Sequence, residues 1–564
     1  MGIFGFIRRA LVSLQSRRAS GHGPRRARLQ LEGLEDRLVP STLVVGTGGP
    51  PGSRHFASFQ QAYRLALPGD VIQIEPGAVF GEAPQGVIGK WVSGGGTGSL
   101  DHMTIAGTTI GVDEVVSVNQ GNASDVRLHL LTRVVNNGNG TETVYFDQPL
   151  QQPFTGSTVY VEAVGALGIG KDITVQGDPS SPNYLKLPLT HHFDVMPISG
   201  VVLQYLNLRS PLTLLAGAQN TTVQNSFLSG LSEVGDPFSD YNGNTLQGNT
   251  ISGSVSLAAQ HPWQFPTEVV GNTFVGLGRL DIASLSTDPT FVDVHGNTFT
   301  GGGSHYVAIR VEMGDRDVSI HDNTMNLQPG AFTVGIYVTD SQFVHIDNNH
   351  IKLAGDSTSI GIMIESYSFD PNVVFPCDVS ITNNSQIDTG GKGTGLQFYL
   401  HKQDTTDTQP FLQAFVQQNN FNHNAIGVGV EGYGPEAGHI DLGGGALGSS
   451  GGNDFSGFTD ADTANGHFAI ALHNTVAGYI LWANNNLFNL AWDPGVLKDS
   501  INNTDATEAD YYSATEVGTG VIDIGTPPPN NSGGGTGGGD GSGGGGSYDP
   551  NGYGGYVNRK PAAQ

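Results

Sequence analysis

The sequence predicts an all-β solenoid: a right-handed parallel β-helix with three strands per coil. A recurring phrase is the main reason: an Asn, one further residue and a bulky apolar residue. Its first six copies are spaced 24, 23, 25, 26 and 26 residues apart. A fixed period of this length is typical of a solenoid, in which each repeat packs on its neighbours. The copies begin at Asn225, Asn249, Asn272, Asn297, Asn323 and Asn349, and the phrase continues at Asn420, Asn453 and Asn486.

Each repeat contains three short runs in which apolar and polar residues alternate. In one repeat these runs are Val318–Ile320, Thr324–Leu327 and Gly335–Thr339, separated by turn-forming residues. Alternation with a period of two indicates strands, and we expect the coils to stack at about 4.8 Å. We expect the Asn side chains to form a hydrogen-bonded ladder, because Asn tolerates left-handed backbone and bonds to neighbouring main chain. The apolar residue after each Asn is expected to stack inside the tube.

Five segments follow a pattern known from one superfamily: Ala57–Tyr63, Pro68–Gly77, Met103–Gly107, Ile173–Gly177 and Asp441–Phe455. They resemble the pectate-lyase-like β-helix proteins with PbH1-type repeats, over about residues 43–490. The resemblance implies a short amphipathic helix that caps the tube, a Pro-Gly-Asp turn into the first strand, further early strands and a late coil. It implies a fold and says little about function.

The sequence predicts five regions: a basic leader (1–41), a helical cap with the first coils (42–107), a β-rich insertion (108–170), the β-helix (171–525) and a Pro/Gly/Ser-rich tail (526–564). The insertion lacks the repeat, but Val126–Leu130 and Thr143–Phe146 alternate like strands. It could be a substrate lid or a small accessory module. The tail has the composition of a flexible linker.

Charge and targeting signals restrict the environment and the partners. Residues 1–40 carry eight Arg against three acidic residues, and the remainder carries 17 basic and 48 acidic residues. This acidic balance argues against nucleic acid as a ligand and permits cations, neutral glycans, or acidic glycans bridged by Ca²⁺.

Leu34–Pro40 resembles an N-terminal motif of exported planctomycete proteins, which implies a secreted or cell-surface bacterial protein. No apolar run is long enough to span a membrane. Cys377 is the single cysteine, so no internal disulfide can form, and we expect a monomer.

The third strand of each repeat provides the candidate site. In six aligned copies the second and fourth residues are apolar and are expected to point inward, so the third and fifth should point outward. The fifth positions are Glu312, Thr339, Glu365, Tyr399, Glu431 and His473. The third positions include Arg310, Tyr337, Met363 and Gln397, and His401 lies just beyond Tyr399.

These residue types fit polysaccharide chemistry. Successive Glu residues would lie two coils apart, about 9–10 Å, at the long edge of the ~6.5–9.5 Å separation of an inverting glycosidase pair. The catalytic candidates are Glu312, Glu365, Glu431, His473 and Arg310, and the substrate-binding candidates are Tyr337, Tyr399, His401, Gln397 and Met363. Polar residues on the outside of a sheet are equally what simple solvent exposure predicts.

A metal site is a weaker hypothesis. Asp315, Asp317 and Asp322 follow Glu312 and could hold Ca²⁺ through oxygen ligands, although their spacing matches no EF-hand loop. No other cofactor is predicted. The sequence contains no convincing copy of the pectinase or pectate-lyase signatures, which weakens the hypothesis of an enzyme.

Three functions remain open on the sequence. The leading one is an exported or cell-surface β-helix that binds polysaccharide or another extracellular surface along the outward strands. The second is a polysaccharide lyase or glycoside hydrolase that uses the same face, with groove walls from Asp370–Cys377, Gln403–Pro410 and Gly432–Gly438. The third is a structural adhesion protein without catalysis.

Overall fold

We describe a computed structural model of the 564-residue chain. Its contacts divide the chain into two units, Met1–Ile524 and Gly525–Gln564, and every residue described below lies in the first. The structure describes residues 40–523 except 47–53, 58, 76–84, 95–98, 108–113, 121–122, 125–128, 147–148, 151–152, 155–158, 181–182, 186–192, 196–198, 215–217, 234–242, 258–265, 284–290, 313–315, 367–376, 401–411, 433–438, 459–466, 474–478 and 489–519. The predicted leader and tail therefore lie outside the described residues, apart from Pro40 and Ser41.

Three long sheets run along a parallel β-helix, and successive coils add strands that pair in parallel with those of the coil before. Sheet 1 contains His55–Phe56, Thr42–Val45, Val71–Ile74, Thr174–Gln176, Val202–Gln204, Thr222–Gln224, Thr245–Gln247, Thr267–Val270, Val292–His295, Arg316–His321, Gln342–Asp347, Cys377–Thr382, Leu412–Gln417, His439–Gly443, Tyr479–Ala483 and Gly520–Asp523. Sheet 2 contains Asn183–Leu185, Leu206–Leu208, Phe227–Leu228, Thr250–Ile251, Thr273–Phe274, Thr298–Phe299, Thr324–Leu327, His350–Leu353 and Gln386–Asp388. Asp454–Phe455 and Leu487–Phe488 pair in parallel in two later coils.

Sheet 3 carries the candidate site. Its solenoid strands are Val159–Ile169, Phe193–Val195, Leu212–Leu214, Leu231–Glu233, Ser254–Leu257, Arg279–Ala283, Val307–Glu312, Val334–Thr339, Ile360–Ser366, Thr394–Leu400, Ile426–Gly432 and Phe468–His473. The predicted fold class, a parallel β-helix solenoid, is confirmed.

The interior of the tube is one continuous apolar core that extends from Leu43 to Ala483. Residues at the same point of successive coils stack directly, as Phe274 and Phe299 do with ring centroids 4.3 Å apart. Cys377 belongs to this core, and burial raises the pKa of its thiol to about 12, so the thiol stays protonated. Among the described residues, no helix has the length and apolar character that crossing a membrane requires.

A ladder of buried Asn side chains follows the corner between sheets 1 and 2. Asn297 shows the pattern: its main-chain N and its Nδ2 both donate to Oδ1 of Asn323, at 3.0 Å each. The same Nδ2 donates to the carbonyl of Val269 at 2.7 Å, and Asn297 Oδ1 accepts from N and Nδ2 of Asn272 at 2.9 and 3.0 Å. Each amide is thus satisfied by the coils on both sides, as a buried polar group requires. The Asn members are Asn249, Asn272, Asn297, Asn323, Asn349, Asn384, Asn419, Asn453 and Asn486.

Three details of the ladder differ from the prediction. Asn225 is not a member, because Ser226 stands in its place and donates its main-chain N–H to Asn249 Oδ1 at 2.9 Å. Asn419, and not Asn420, is the member in its coil. The left-handed backbone belongs to the residue before the ladder Asn, such as Asp322 with φ 55° before Asn323. The chain turns the corner at that preceding residue, which leaves the Asn amide free to bridge the coils.

The helix Phe59–Leu65 lies at the N-terminal end of the tube, as the family resemblance implied. Phe59, Ala62 and Tyr63 are buried in the main core. Lys171 Nζ donates to the carbonyls of Tyr63 at 2.6 Å and Ala66 at 3.2 Å, at the C-terminal end of the helix. A cation there satisfies carbonyls that have no partner within the helix.

The chain leaves the solenoid between two adjacent coils and forms a closed antiparallel barrel. Val71–Ile74 pairs directly with Thr174–Gln176, so the barrel strands between them are looped out of the stack, apart from Leu167–Ile169, which pair with Phe193–Val195 in sheet 3. Each barrel strand pairs with two neighbours and the last pairing closes the ring. The six strands are Gln85–Gly94, His102–Gly107, Thr141–Phe146, His129–Asn136, Glu114–Gln120 and Val159–Ile169, with a short strand Ala123–Ser124 beside Glu114–Gln120. Closure leaves no unpaired strand edge.

The barrel has its own apolar core, separate from that of the tube, which includes Met103, Val116 and Val144. The prediction that Met103–Gly107 forms an early coil is wrong, since this segment pairs antiparallel with two barrel strands. Apolar and polar residues alternate with a period of two in barrel strands and in coil strands alike, because both kinds of strand bury one face. The predicted region boundaries, including 108–170 for the insertion, stay predictions.

Replacement of Asn323 by Ala tests the ladder. Asn323 is 1% exposed, and its loss leaves the main-chain N–H of Asn297 without an acceptor and removes one of the two hydrogen bonds to Oδ1 of Asn349. We expect Asn323→Ala to lower the free energy of unfolding by about 3 kcal/mol, since each stranded buried group costs about 1–3 kcal/mol. Urea unfolding followed by circular dichroism measures this. Asn326→Ala, at an exposed position of the same strand, is the control and should change stability by no more than about 0.5 kcal/mol. Equal effects of the two substitutions would contradict the ladder's role.

Candidate functional site

The strand register of sheet 3 stacks the candidate residues in two files along the helix axis. Cα partners link Glu312, Thr339, Glu365, Tyr399, Glu431 and His473 in that order, and we call this set the glutamate file. The same pairings link Arg310, Tyr337, Met363, Gln397, Gly429 and Ala471, which we call the aromatic file. The two files lie two residues apart on every strand, so they share one face of the sheet.

Small residues mark the point where the chain enters sheet 3. The position is occupied by Ala308, Gly335, Gly361, Gly395, Gly427 and Ala469 in successive coils. At Gly361 an added Cβ would lie 2.4 Å from Cγ2 of Ile387 and 2.6 Å from the carbonyl oxygen of Gly395. Close stacking of the coils therefore excludes a large side chain here. The residue before this position pairs with its counterpart in the next coil, as Val334 does with Ile360.

An apolar cluster lies apart from the core of the tube and includes members of both files. Val334, Ile360 and Met363 are its buried residues. Val307, Phe332, Tyr337 and Tyr399 pack against them, and we call these seven residues the outer cluster. The face of sheet 3 is therefore not a plain solvated surface, because apolar and aromatic side chains are collected on it.

A network of polar contacts connects the first three coils of the site. Arg310 Nη2 lies 2.9 Å from Glu312 Oε2, and the Arg310 guanidinium lies over the Tyr337 ring, 5.6 Å from its centroid. The Tyr337 hydroxyl donates a hydrogen bond to Glu365 Oε2. Arg310, Glu312, Tyr337 and Glu365 thus form one chain of contacts across three coils, which fixes the orientation of each side chain.

The environment of the face shifts its titratable groups in a consistent way. Burial raises the pKa of Glu312, the charge of Arg310 opposes this shift and the charge of Asp281 adds to it. Burial, followed by the hydrogen bond to Glu365, raises the pKa of Tyr337. Burial and the charges of Glu431 and Glu365 raise the pKa of Tyr399. Both Tyr hydroxyls therefore remain protonated hydrogen-bond donors next to carboxylates.

The remaining predicted site residues divide into three cases. His473 is the Cα partner of Glu431, and nothing further is described of its side chain. His401 lies outside the described residues, as do nearly all of the predicted groove walls. Gln397 is only 7% exposed, donates to the carbonyl of Phe398, and occupies the space that a Cβ at Gly429 would need. The functional role of each of these residues stays a prediction.

The predicted calcium ligands are not brought together by the described part of the structure. Asp315 lies outside it, and Asp317 has a φ of 59° on a sheet 1 strand. Asp322 accepts a hydrogen bond from Asn348 and contacts His321. Within the described ranges, no group of three or more His, Cys, Asp or Glu side chains is placed to hold a metal ion. Ca²⁺ binding stays a prediction.

Sequence reasoning missed a histidine–carboxylate group on sheet 1. His321 lies 3.0 Å from Asp293 through Nε2 and 2.7 Å from Asp322 through Nδ1, and its ring stacks on His295 with centroids 4.9 Å apart. Burial alone would lower the pKa of His321, but the bond to Asp322 and the charges of Asp293 and Asp322 outweigh it and raise the pKa. The 26-residue spacing of the two His residues, equal to the repeat, was the signal that could have revealed this group.

No protein-family model and no curated protein matches the chain. Among solved structures, it is similar to the gp54 tailspike of Acinetobacter baumannii bacteriophage AP22 in complex with A. baumannii capsular saccharide: 11% identity, TM-score 0.24, 81% of this chain and 72% of the tailspike. It is also similar to the catalytic domain of GH87 α-1,3-glucanase in complex with tetrasaccharides, with 10% identity and a TM-score of 0.25. The match covers 78% of this chain and 99% of the glucanase domain. The gp49 tailspike of Pseudomonas phage LKA1 has 11% identity and a TM-score of 0.17, and the match covers 81% of this chain and 73% of the tailspike. At these values the similarities assign no function to this chain.

Replacement of Arg310 by Ala tests the electrostatics of the network. Arg310 opposes the shift that burial imposes on Glu312, so its loss should raise the pKa of Glu312 further. A carboxyl pKa above its unfolded value means that ionisation destabilises the fold. The contribution of Glu312 to the free energy of unfolding therefore falls as the pH rises from about 4.5 through the pKa that Glu312 has in the folded protein. Arg310→Ala should make this fall larger. A ¹³C NMR titration of Glu side chains measures the pKa. Arg310→Lys keeps the positive charge and should leave the titration close to that of the wild type; an unchanged pKa in Arg310→Ala would contradict the network.

Proposed function

We propose that this chain is an exported or cell-surface protein that binds polysaccharide along the outward face of sheet 3. The observation that carries the proposal is the outer cluster, which places Tyr337, Tyr399 and Met363 beside the carboxylates of the glutamate file. A pyranose ring has C–H faces that pack on aromatic and apolar side chains, and hydroxyls that donate to carboxylates. A surface that combines apolar side chains with a few fixed polar groups is typical of binding sites.

The linear arrangement supports a polymer as the ligand. From Glu312 to Glu431 the glutamate file covers four coil steps, about 19 Å at the strand spacing of a sheet. Similar side chains recur along this length because each coil presents the same strand position. A chain of repeating sugars meets such a face with repeating contacts, whereas a small molecule would use only one part of it.

The electrostatics favour a neutral polysaccharide, or an acidic one bridged by cations. The chain has a formal net charge of −26, and the glutamate file contributes three carboxylates to the face. Arg310 is engaged with Glu312. A polyanion would therefore meet repulsion along most of the file unless cations accompany it.

Glycoside hydrolysis on the same face is the second candidate function. It is favoured by the different environments of Glu312, whose pKa burial raises, and Glu365, which accepts a hydrogen bond from Tyr337. The two residues lie two coils apart, about 9–10 Å, near the upper limit of the ~6.5–9.5 Å range of inverting enzymes. In that reaction Glu312 would give its proton to the glycosidic oxygen as the bond to the anomeric carbon breaks. Water would attack that carbon and lose a proton to Glu365.

A combined binding and depolymerisation assay of the full chain tests the proposal. The panel contains neutral, uronic-acid and sulfated polysaccharides, each with Ca²⁺ and with a chelator. We expect retention on a neutral or cation-bridged polymer, and Tyr399→Ala should weaken that binding about 2–10-fold, since a lost aromatic contact is worth about 0.5–1.5 kcal/mol. Phe343→Ala, an exposed aromatic residue on sheet 1, is the matched control and should bind as the wild type does.

The products separate the remaining alternatives. New reducing ends that disappear in Glu365→Gln would establish the hydrolase, and binding without new ends would leave a binding protein. Unsaturated ends would indicate a lyase and contradict the assigned roles of Glu312 and Glu365. Failure to bind any polymer of the panel would contradict the proposal and leave the structural adhesion protein.

A further inference from the structure

A buried carboxylate orients an exposed imidazole at the turn that leads into sheet 3. His423 Nδ1 lies 2.8 Å from Asp388 Oδ1, and the two residues belong to adjacent coils. The exposures are opposite: the Asp388 side chain is 4% exposed and the His423 side chain is 66% exposed. This arrangement differs from the His321 group, in which His and both carboxylates are partly exposed.

The hydrogen bonds of Asp388 determine which ring nitrogen of His423 carries the proton. Asp388 Oδ1 accepts from the main-chain N–H of Gly390 at 2.7 Å, and Oδ2 accepts from Gln386 Nε2 at 3.0 Å. A carboxylate only accepts hydrogen bonds, as both oxygens of Asp388 do here, so its contact with His423 is a donation from Nδ1–H. A neutral imidazole has one donor and one acceptor nitrogen, which makes Nε2 the acceptor. A buried carboxylate holds the catalytic His of serine proteases in the same tautomer.

The dyad lies at the border of the proposed binding face. His423 is three residues before Ile426, where its coil enters sheet 3. In an earlier coil, Phe332 occupies the corresponding turn, two residues before Val334, and packs in the outer cluster. This turn therefore adjoins the face, and His423 lies in the same turn of the coil that carries Glu431, one residue further from the strand than Phe332.

The backbone at His423 would suit Gly better than His. His423 has a φ of 66°, in the left-handed region that costs energy for residues other than Gly. Gly391 is three residues before the strand in the preceding coil, has a φ of 72°, and donates its N–H to the carbonyl of His423. The same position is thus filled by Gly in one coil and by His in the next.

We infer that His423 is a ligand-binding residue whose Nε2 accepts a hydrogen bond from a polysaccharide hydroxyl, with Asp388 as its positioning residue. This inference rests on the proposed function and deepens it. A fixed acceptor binds a hydroxyl donor and offers nothing to a carboxylate or sulfate oxygen, which can only accept. The ligand therefore presents a hydroxyl group, and not an acidic group, at the coil of Glu431.

The first test determines the tautomer of the His423 imidazole in the full chain without ligand. Long-range ¹H–¹⁵N NMR correlations of the imidazole rings distinguish Nδ1–H from Nε2–H. The signals that are missing from the spectrum of His423→Gly belong to the His423 ring. We expect His423 to be the Nδ1–H tautomer in the wild type and to lose this preference in Asp388→Asn. A predominant Nε2–H tautomer in the wild type would overturn the inference.

The second test compares polysaccharide binding with stability. We expect His423→Gly to weaken binding about 3–10-fold, the value of one neutral hydrogen bond, while its urea midpoint stays equal or rises because Gly adopts this φ readily. His321→Gln, which alters the carboxylate-paired His of sheet 1, should bind as the wild type does. Wild-type affinity in His423→Gly would overturn the inference and leave the proposed function intact. Absence of binding by the wild type to every polymer would overturn both.

Discussion

The buried Asn ladder is the interaction on which the rest of the structure depends. Each amide bridges three coils, because it donates to both neighbouring coils and accepts from one of them, as Asn297 does. A strand that slips by one residue moves every side chain to the opposite face. The ladder opposes such a slip, since a slipped coil would leave buried amide groups without partners. The outward position of Glu312, Glu365 and Glu431 therefore follows from contacts at a different corner of the coil.

The outward face of sheet 3 combines features that a purely structural surface does not need. Apolar side chains gather in a cluster apart from the core, and they adjoin a half-buried ion pair between Arg310 and Glu312. Placing Glu312 where burial raises its pKa is unfavourable for folding at neutral pH. The cost at Glu312 falls on the face that carries the apolar cluster, where a binding function would account for it.

The fold and the two files could be predicted from the sequence because both follow from periodicity. Asn spacing reveals the coil length, and alternation within each strand separates inward from outward positions. The barrel could not be recognised, since its strands alternate like those of a coil and their antiparallel pairing depends on contacts between distant segments. The Asp388–His423 dyad joins residues 35 positions apart in coils of unequal length, so no fixed spacing indicates it. The hydrogen bond from Tyr337 to Glu365, 28 residues apart, likewise depends on side-chain direction, which periodicity does not provide.

Engineered disulfides test the central claim, that the coil register stacks the candidate residues in single files. Glu365 and Tyr399 are Cα partners in adjacent coils, about 4.8 Å apart, within the ~4.4–6.8 Å that a disulfide requires. The variant with Glu365→Cys and Tyr399→Cys should form this disulfide under mild oxidation, detected by mass spectrometry of non-reduced peptides. A variant with Met363→Cys and Tyr399→Cys, shifted by two residues to about 8 Å, should not. Cross-linking of the shifted pair, or of neither pair, would contradict the register and the face that depends on it.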